Sequence, residues 1–278
     1  MTAIELAKSG FRTFATMRES EARNRPAADA LRDLASNHQL PLTVIELDVR
    51  TPESVKQGVE AAAAAGHLAV VVNNAGISIP GSIELHTEEQ VRAQLETNLL
   101  GYHRVARAVL PQMRERQQGL IVQVSSGLGR IVFPTQGWYA AMKFAVEGMS
   151  EALAYELAPF GVELTIVQPT QYPTQFLANA RRYFAAMLSE ADDARKRDYE
   201  AQISLTQFGL QDEPGADPRD VALAIRELAL MRVGTRPLRR VVSPNPEALQ
   251  GINTDLGAVQ DDVFNGTPFA EWRAAVTD

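Results

Sequence analysis

The stretch Gln123-Val-Ser-Ser126-Gly-Leu-Gly-Arg-Ile-Val-Phe-Pro-Thr-Gln-Gly-Trp-Tyr139-Ala-Ala-Met-Lys143 decides how this chain is read. It begins inside a short apolar, β-branched run, Leu120 to Val124, and ends in an apolar-periodic segment, Trp138 to Ala158; the first is of strand length and the second of helix length. Tyr139 and Lys143 stand four apart at the helix start, so the phenol and the ammonium share one face. Ser126 follows the strand, where a sheet hands the chain to a loop, with Ser125 beside it as a rival for any role. A serine at a strand end and a tyrosine backed by a lysine can converge on one carbonyl oxygen.

Working outward, strands and helices alternate on both sides. Thr2 to Lys8 reads as the end of a helix, Phe11 to Met17 as a strand, Glu21 to Asn37 as a helix and Leu42 to Val49 as a strand. Thr51 caps a helix with Pro52 in its first turn that runs to Gly66, and Leu68 to Asn73 is a strand ending in Asn-Asn-Ala-Gly. Thr87 and Gln90 form a capping box for a helix that bends near Gly101 and reaches Gln117. Val162 to Gln168 is a strand closed by Pro169. Short apolar strands alternating with helices predict an α/β fold, a doubly wound parallel sheet covered on both faces in three α/β/α layers. Beyond Pro169, aromatic residues scattered among charges over 171–215 predict one or two amphipathic helices acting as a lid. A helix over Val221 to Arg232 and an edge strand over Arg239 to Ser243 follow. Residues 1–243 read as one domain with 244–278 as an extension packed on it, irregular apart from a short amphipathic end around Phe269 to Val276.

Composition narrows the function. The formal net charge of −7 argues against nucleic acid as a partner. The chain has no cysteine, which removes disulfides, thiolate nucleophiles and Cys-ligated zinc. Its four histidines lack metal-ligand spacing, so no metal site is expected. No apolar run reaches the roughly 20 residues of a membrane span, and no signal peptide opens the chain. A cytoplasmic protein is expected.

Asn73-Asn74-Ala75-Gly76, Asn98, Ser126, Tyr139 and Lys143, in this order on this alternation, resemble the short-chain dehydrogenase/reductase family from Thr2 to about Ser243. Elementary chemistry gives three of them tasks. A reduced carbonyl develops alkoxide character and needs an acid; a free phenol titrates near 10, and an ammonium close by is expected to lower that value. Lys143 is placed to do so for Tyr139, and Ser126 to hold the substrate oxygen. The resemblance adds a relay water on Asn98 and a Rossmann-like sheet that carries a nicotinamide cofactor. It places Asn74, Ala75 and Gly76 against the adenosine ribose, Asp48 and Val49 at the adenine, and Pro169 and Thr174 at the nicotinamide, with Tyr139 and Lys143 also touching the cofactor. Asp48 could equally cap the next helix, and Thr170 stands where the family's loop has glycine. Arg18, after the first strand, suits a 2′-phosphate, so NADP(H) is expected, with NAD(H) as the alternative. The run Thr16-Met17-Arg18-Glu19 resembles NADP-preferring members related to steroid and retinol dehydrogenases. Gln136, Trp138, Tyr172 and Phe176 are candidate walls of a largely apolar substrate pocket. The expected protein is thus an oxidoreductase interconverting a secondary alcohol and a ketone or aldehyde, as a homodimer or homotetramer; the alternative is a non-catalytic binding or regulatory protein of the same fold.

One part of the pattern is absent. The family opens with a strand and a Thr-Gly-x-x-x-Gly-x-Gly turn against the pyrophosphate, whereas Met1 here falls inside the following helix and the first glycine is Gly10. The missing strand is central in the family's order, so its neighbours, normally about 4.8 Å away on each side, would face a gap of about 9.6 Å. A start codon assigned too far downstream is the favoured explanation. A truncated relative that no longer binds dinucleotide and re-pairing across the gap are the others. The 278-residue chain is expected to bind NADPH poorly.

Overall fold

The chain runs through α1 (Thr2–Lys8), β1 (Thr13–Met17), α2 (Arg25–Asn37), β2 (Leu42–Glu46), α3 (Pro52–Ala63) and β3 (Val70–Asn73). It continues with α4 (Glu88–Leu95), a π-helical turn (Glu96–Leu100), α5 (Gly101–Arg116), β4 (Gly119–Val124), α6 (Gly137–Leu157) and β5 (Val162–Pro169). After β5 come α7 (Gln175–Glu190), α8 (Asp193–Asp198), α9 (Glu200–Gly209), α10 (Arg219–Leu230), β6 (Arg239–Val242), α11 (Glu247–Phe264) and α12 (Ala270–Ala274). The computed structural model describes residues 1–211 and 216–276. The last four residues of the expected lid, and 277–278 of the expected extension, lie outside them.

Every strand pair is parallel, as crossover helices require. The order β3-β4-β5-β6 forms one sheet, and β1-β2 forms another. Strand β4 is buried along its whole length. Its side chains alternate with period two: Leu120, Val122 and Val124 face α10 through Ala224, Ile225 and Leu228, while Ile121 joins Val55, Val59, Val105, Val109 and Met113 from α3 and α5. The result is the three-layer Rossmann-like α/β/α arrangement. A third cluster, with Ile79, Leu85, Phe184 and Met187, seats α7 over the loop after β3.

Re-pairing across the break does not occur among the described residues: β1 pairs with β2, and β3 with β4. Val70, Val71 and Val72 are accordingly only half-buried. The two pieces are tied elsewhere. Helix α1 packs on α10, Arg219 lies 3.4 Å from the buried Glu5 carboxylate, and Arg12 donates to the Ala65 carbonyl at 2.9 Å.

The elements depart from the sequence reading in three places. Helix α2 starts at Arg25 rather than Glu21, because the backbone turns through a left-handed Glu19 (φ 49°) whose amide is held by the Glu46 carboxylate. The segment after β5 holds three helices instead of one or two. The tail read as mostly irregular contains the 18-residue α11. Its glycines, Asn253, Thr254 and Asp255 are weak helix formers, and packing decides the outcome: Leu249 is buried, and Phe264 stacks on Tyr155 of α6 with centroids 5.2 Å apart.

Candidate active site

The candidate residues gather beyond the carboxyl ends of β3, β4 and β5. Ser126 leaves β4 in extended conformation and caps a short 3-10 turn, its hydroxyl accepting from the Leu128 amide at 3.1 Å. Tyr139 and Lys143 lie on the first two turns of α6 and are 8% and 3% exposed. The Lys143 ammonium donates to the Val124 carbonyl at 2.8 Å. Tyr102 donates to that oxygen at 2.9 Å, and the ammonium stands 5.4 Å and 5.6 Å from the Tyr102 and Tyr139 ring centroids. The Ser126 hydroxyl is close enough to the Tyr139 phenol to pull its titration downward. Ser125 is buried, and its hydroxyl points at Gly129 and has no partner among the described residues.

The electrostatics differ from the sequence expectation. Burial pushes the Tyr139 phenol up to about 12, with Ser126 pulling the other way. Burial also brings Lys143 down to about 8, opposed by the Glu147 carboxylate one turn on. Desolvation disfavours the charged form of each, and it dominates at both groups.

Asn98 sits in the π-helical turn and is fully buried. Its amide donates to the Ile77 carbonyl and accepts from the Ile77 amide, both at 2.8 Å. The side chain therefore straps the loop after β3. The bend expected near Gly101 is this π-turn, a common device at sites.

The cofactor candidates are placed unevenly. Asn74 is exposed at the end of β3, followed by half-buried Ala75 and Gly76. A Cβ on Gly76 would stand 3.3 Å from the Asn98 side-chain oxygen and 4.0 Å from the Lys143 ammonium, so the backbone there is open to close approach. Asp48 neither caps α3 nor stands free. Arg50, which sequence reasoning passed over, clasps its carboxylate at 2.6 Å and holds it below the usual carboxylate range. Val49 packs against the start of α5 at Gly101. Arg18 is half-buried, and its charge is felt at Asp48. Pro169 ends β5, and the exposed Thr174 caps α7 by accepting from the Phe176 amide. Small residues and hydrogen-bonding groups at the ends of β3, β4 and β5 suit the ribose and nicotinamide portions of a dinucleotide. The sequence contains no glycine ahead of Gly10 to cradle a pyrophosphate.

Of the pocket candidates, Phe176 packs against Tyr139 with the rings tilted by 54° and their centroids 5.7 Å apart. The Gln136 carbonyl accepts from Ser78 at 3.2 Å. Trp138 is half-buried, with an indole N–H that has no partner among the described residues. Tyr172 packs instead on the β4–β5–α10 cluster. No metal-holding group of acidic, histidine or cysteine side chains occurs among the described residues, and no described helix is long and apolar enough to cross a membrane.

Residues 1–183 match the family profile described as short chain dehydrogenase. The chain is 37% identical over 209 residues to 3-ketodihydrosphingosine reductase of Bacteroides thetaiotaomicron, covering 74% of each protein. It is 32% identical over 246 residues to human retinol dehydrogenase 8, covering 84% of this chain and 69% of that protein. A short-chain dehydrogenase crystal structure from Streptomyces avermitilis is similar over 95% of this chain and 91% of its own, at 30% identity and a TM-score of 0.72.

Proposed function

The chain belongs to the short-chain dehydrogenase/reductase family, and from that premise we propose that its NAD(P)(H)-dependent alcohol–carbonyl chemistry is carried by Tyr139, Lys143 and Ser126, with NADP(H) preferred and a largely apolar substrate. The observation behind this reading is the convergence of the Ser126 hydroxyl, the Tyr139 phenol and the Lys143 ammonium beyond the end of β4. The bound nicotinamide supplies or accepts the hydride at the substrate carbon. Asn74, Ala75, Gly76, Lys143, Pro169 and Thr174 would hold its ribose and nicotinamide portions.

In reduction, Ser126 donates a hydrogen bond to the carbonyl oxygen and sets its distance from Tyr139. As the C–H bond forms, negative charge gathers on that oxygen, and the Tyr139 O–H transfers its proton there, leaving an alcohol and a phenolate. The Lys143 ammonium, 5.6 Å from the ring centroid, stabilises the phenolate until a proton returns from solvent. In oxidation the same groups run in reverse. Arg18 supports the NADP(H) preference, since its guanidinium would pair with a 2′-phosphate. Phe176 against Tyr139 supports an apolar substrate; the relatives named for a ketodihydrosphingosine and for retinol act, by those names, on long apolar molecules. The segment 171–211 over the site is the lid, and the segment 244–276 packs on the catalytic domain that precedes it. The apolar face around Phe144, 43% exposed on α6, supports a homodimer or homotetramer.

The test follows NADPH and NADH oxidation by the purified chain with 2-decanone, decanal and all-trans-retinal as probes. Preference for NADPH over NADH is expected in the turnover observed, at NADPH concentrations raised to offset the weak binding expected of this chain. Tyr139→Phe, with an unchanged circular dichroism spectrum, should lose on the order of 10²–10⁴-fold in kcat, the usual worth of a positioned acid. Full activity in Tyr139→Phe overturns the assignment.

A further inference from the structure

We propose that α11 is a positioning element of the active site, and that Asn253 sets the loop carrying Ser126 by closing a ring of hydrogen bonds behind it. The proposal rests on the reading of Ser126 given above.

The ring has four members from four elements. Arg130, just after the Ser126 turn, donates through Nε to the Asn253 side-chain oxygen at 3.1 Å. The Asn253 amide donates to the Gln168 side-chain oxygen at 2.7 Å, and the Gln168 amide donates to Glu147 at 2.9 Å. Glu147 closes the circuit on Arg130 at 3.5 Å and also binds Arg239 at 3.1 Å. Gln168 is fully buried and Glu147 is 2% exposed. Each member is tied to a part of the site: Arg130 to the serine loop, Glu147 to the helix face of Lys143, and Gln168 to the strand end leading into Pro169 and Thr174. Asn253 alone comes from the C-terminal segment.

Two contacts give the ring leverage on Ser126. Leu249 of α11 lies over Gly127, where a Cβ would stand 3.1 Å from its Cδ1. Gly129 presses so closely on α6 that a Cβ would stand 2.8 Å from Ser125 Oγ, 2.9 Å from Glu147 Cγ and 3.2 Å from the Lys143 carbonyl. The turn over Gly127–Gly129 is thus pinned between α6 and α11, and its own bonds, Leu128 N–H to the Ser126 hydroxyl and Gly129 N–H to the Ser126 carbonyl, fix the serine. Hydrogen bonds are directional where apolar packing is not. Asn253 presents one acceptor to Arg130 and one donor to Gln168, so it holds both loop-bearing elements in a single geometry.

Asn253→Ala removes the bonds to Arg130 and Gln168; Asn253→Asp keeps the acceptor for Arg130, and for the Gln168 amide 3.5 Å away, and loses the donor to Gln168. Hydrogen–deuterium exchange on the intact chain is read over 127–131, over β4 and over α6, together with kcat and KM for the probe reaction. Asn253→Ala should speed exchange over 127–131 by roughly 10- to 100-fold, the worth of a lost hydrogen bond to a charged group, without change in β4, and lower kcat more than KM. Asn253→Asp should restore protection over 127–131. The proposal fails if Asn253→Ala leaves 127–131 unchanged, if β4 and α6 loosen equally, or if the Asp variant is as open as the Ala variant. Should the Ala variant not fold, Arg130→Lys, which keeps the charge facing Glu147 and loses the Nε bond, carries the same exchange test. The exchange result stands whether or not a probe is turned over, so failure of the catalytic reading is told apart from failure of this one.

Discussion

Replacing Asn98 by leucine keeps the volume and removes both groups that hold Ile77. The two bonds are 2.8 Å long and Asn98 has no exposure. The variant leaves one amide and one carbonyl without partners, each costing about 1–3 kcal/mol when desolvated. Ile77 is half-buried, and water reaching its backbone trims the sum to the lower half of its range, about 2–4 kcal/mol. With a urea slope near 3 kcal/mol per molar, the unfolding midpoint should fall by about 1 M. Asn98→Asp adds a sign. Burial and the facing Ile77 carbonyl raise the folded-state value of the new carboxyl above its unfolded value. The folded chain then binds more protons between the two, so the penalty is absent below the unfolded value and grows as pH rises through the folded one. Urea titrations of the three proteins, followed by circular dichroism, check this at neutral and at acid pH. An unchanged midpoint in Asn98→Leu would refute the strap and return Asn98 to the relay role alone.

Two further outcomes follow from burial. Lys143 titrates near 8 in the folded chain against an ordinary 10.5, so the unfolded chain binds more protons between those values and stability should rise with pH across that window; urea unfolding of wild type and Lys143→Met from pH 7.5 to 10 should show the variant losing that rise. Strands β1 and β3 each pair on one side only, and their amides should exchange faster than those of β4, which pairs on both sides and is buried throughout; equal protection of β3 and β4 in hydrogen–deuterium exchange would contradict the break in the sheet.

How much of this was legible depended on the range of the interactions. The capping box at Thr87 and Gln90 forms as written, since both of its bonds lie within one turn. The short apolar run Leu120 to Val124 between helices foretold a strand covered on two faces, and the four-residue spacing put Tyr139 and Lys143 on one side of α6. Arg50, the partner of Asp48, escaped notice because it is two residues away in an irregular turn that no periodicity describes. The ring through Arg130, Glu147, Gln168 and Asn253 joins residues 17 to 123 positions apart. Only Glu147, one helical turn beyond Lys143, left a trace in the sequence. Helix α11 was missed for a related reason: its residues are poor helix formers individually, and what orders them is a surface on α6 made by distant parts of the chain.

The same range explains the inverted electrostatics at the site. Spacing alone says that an ammonium lies near the phenol, and nearness alone would lower the phenol's value. Spacing cannot say that both groups are sealed from water, nor that the Val124 carbonyl lies 2.8 Å from the ammonium and takes its hydrogen bond. Once sealed, the phenol keeps its proton and the lysine gives its proton up more readily than usual. A resting Tyr139 that holds its proton is prepared to act as the acid of carbonyl reduction. The ammonium that would stabilise the phenolate left behind is held on the Val124 carbonyl, 5.6 Å from the ring centroid.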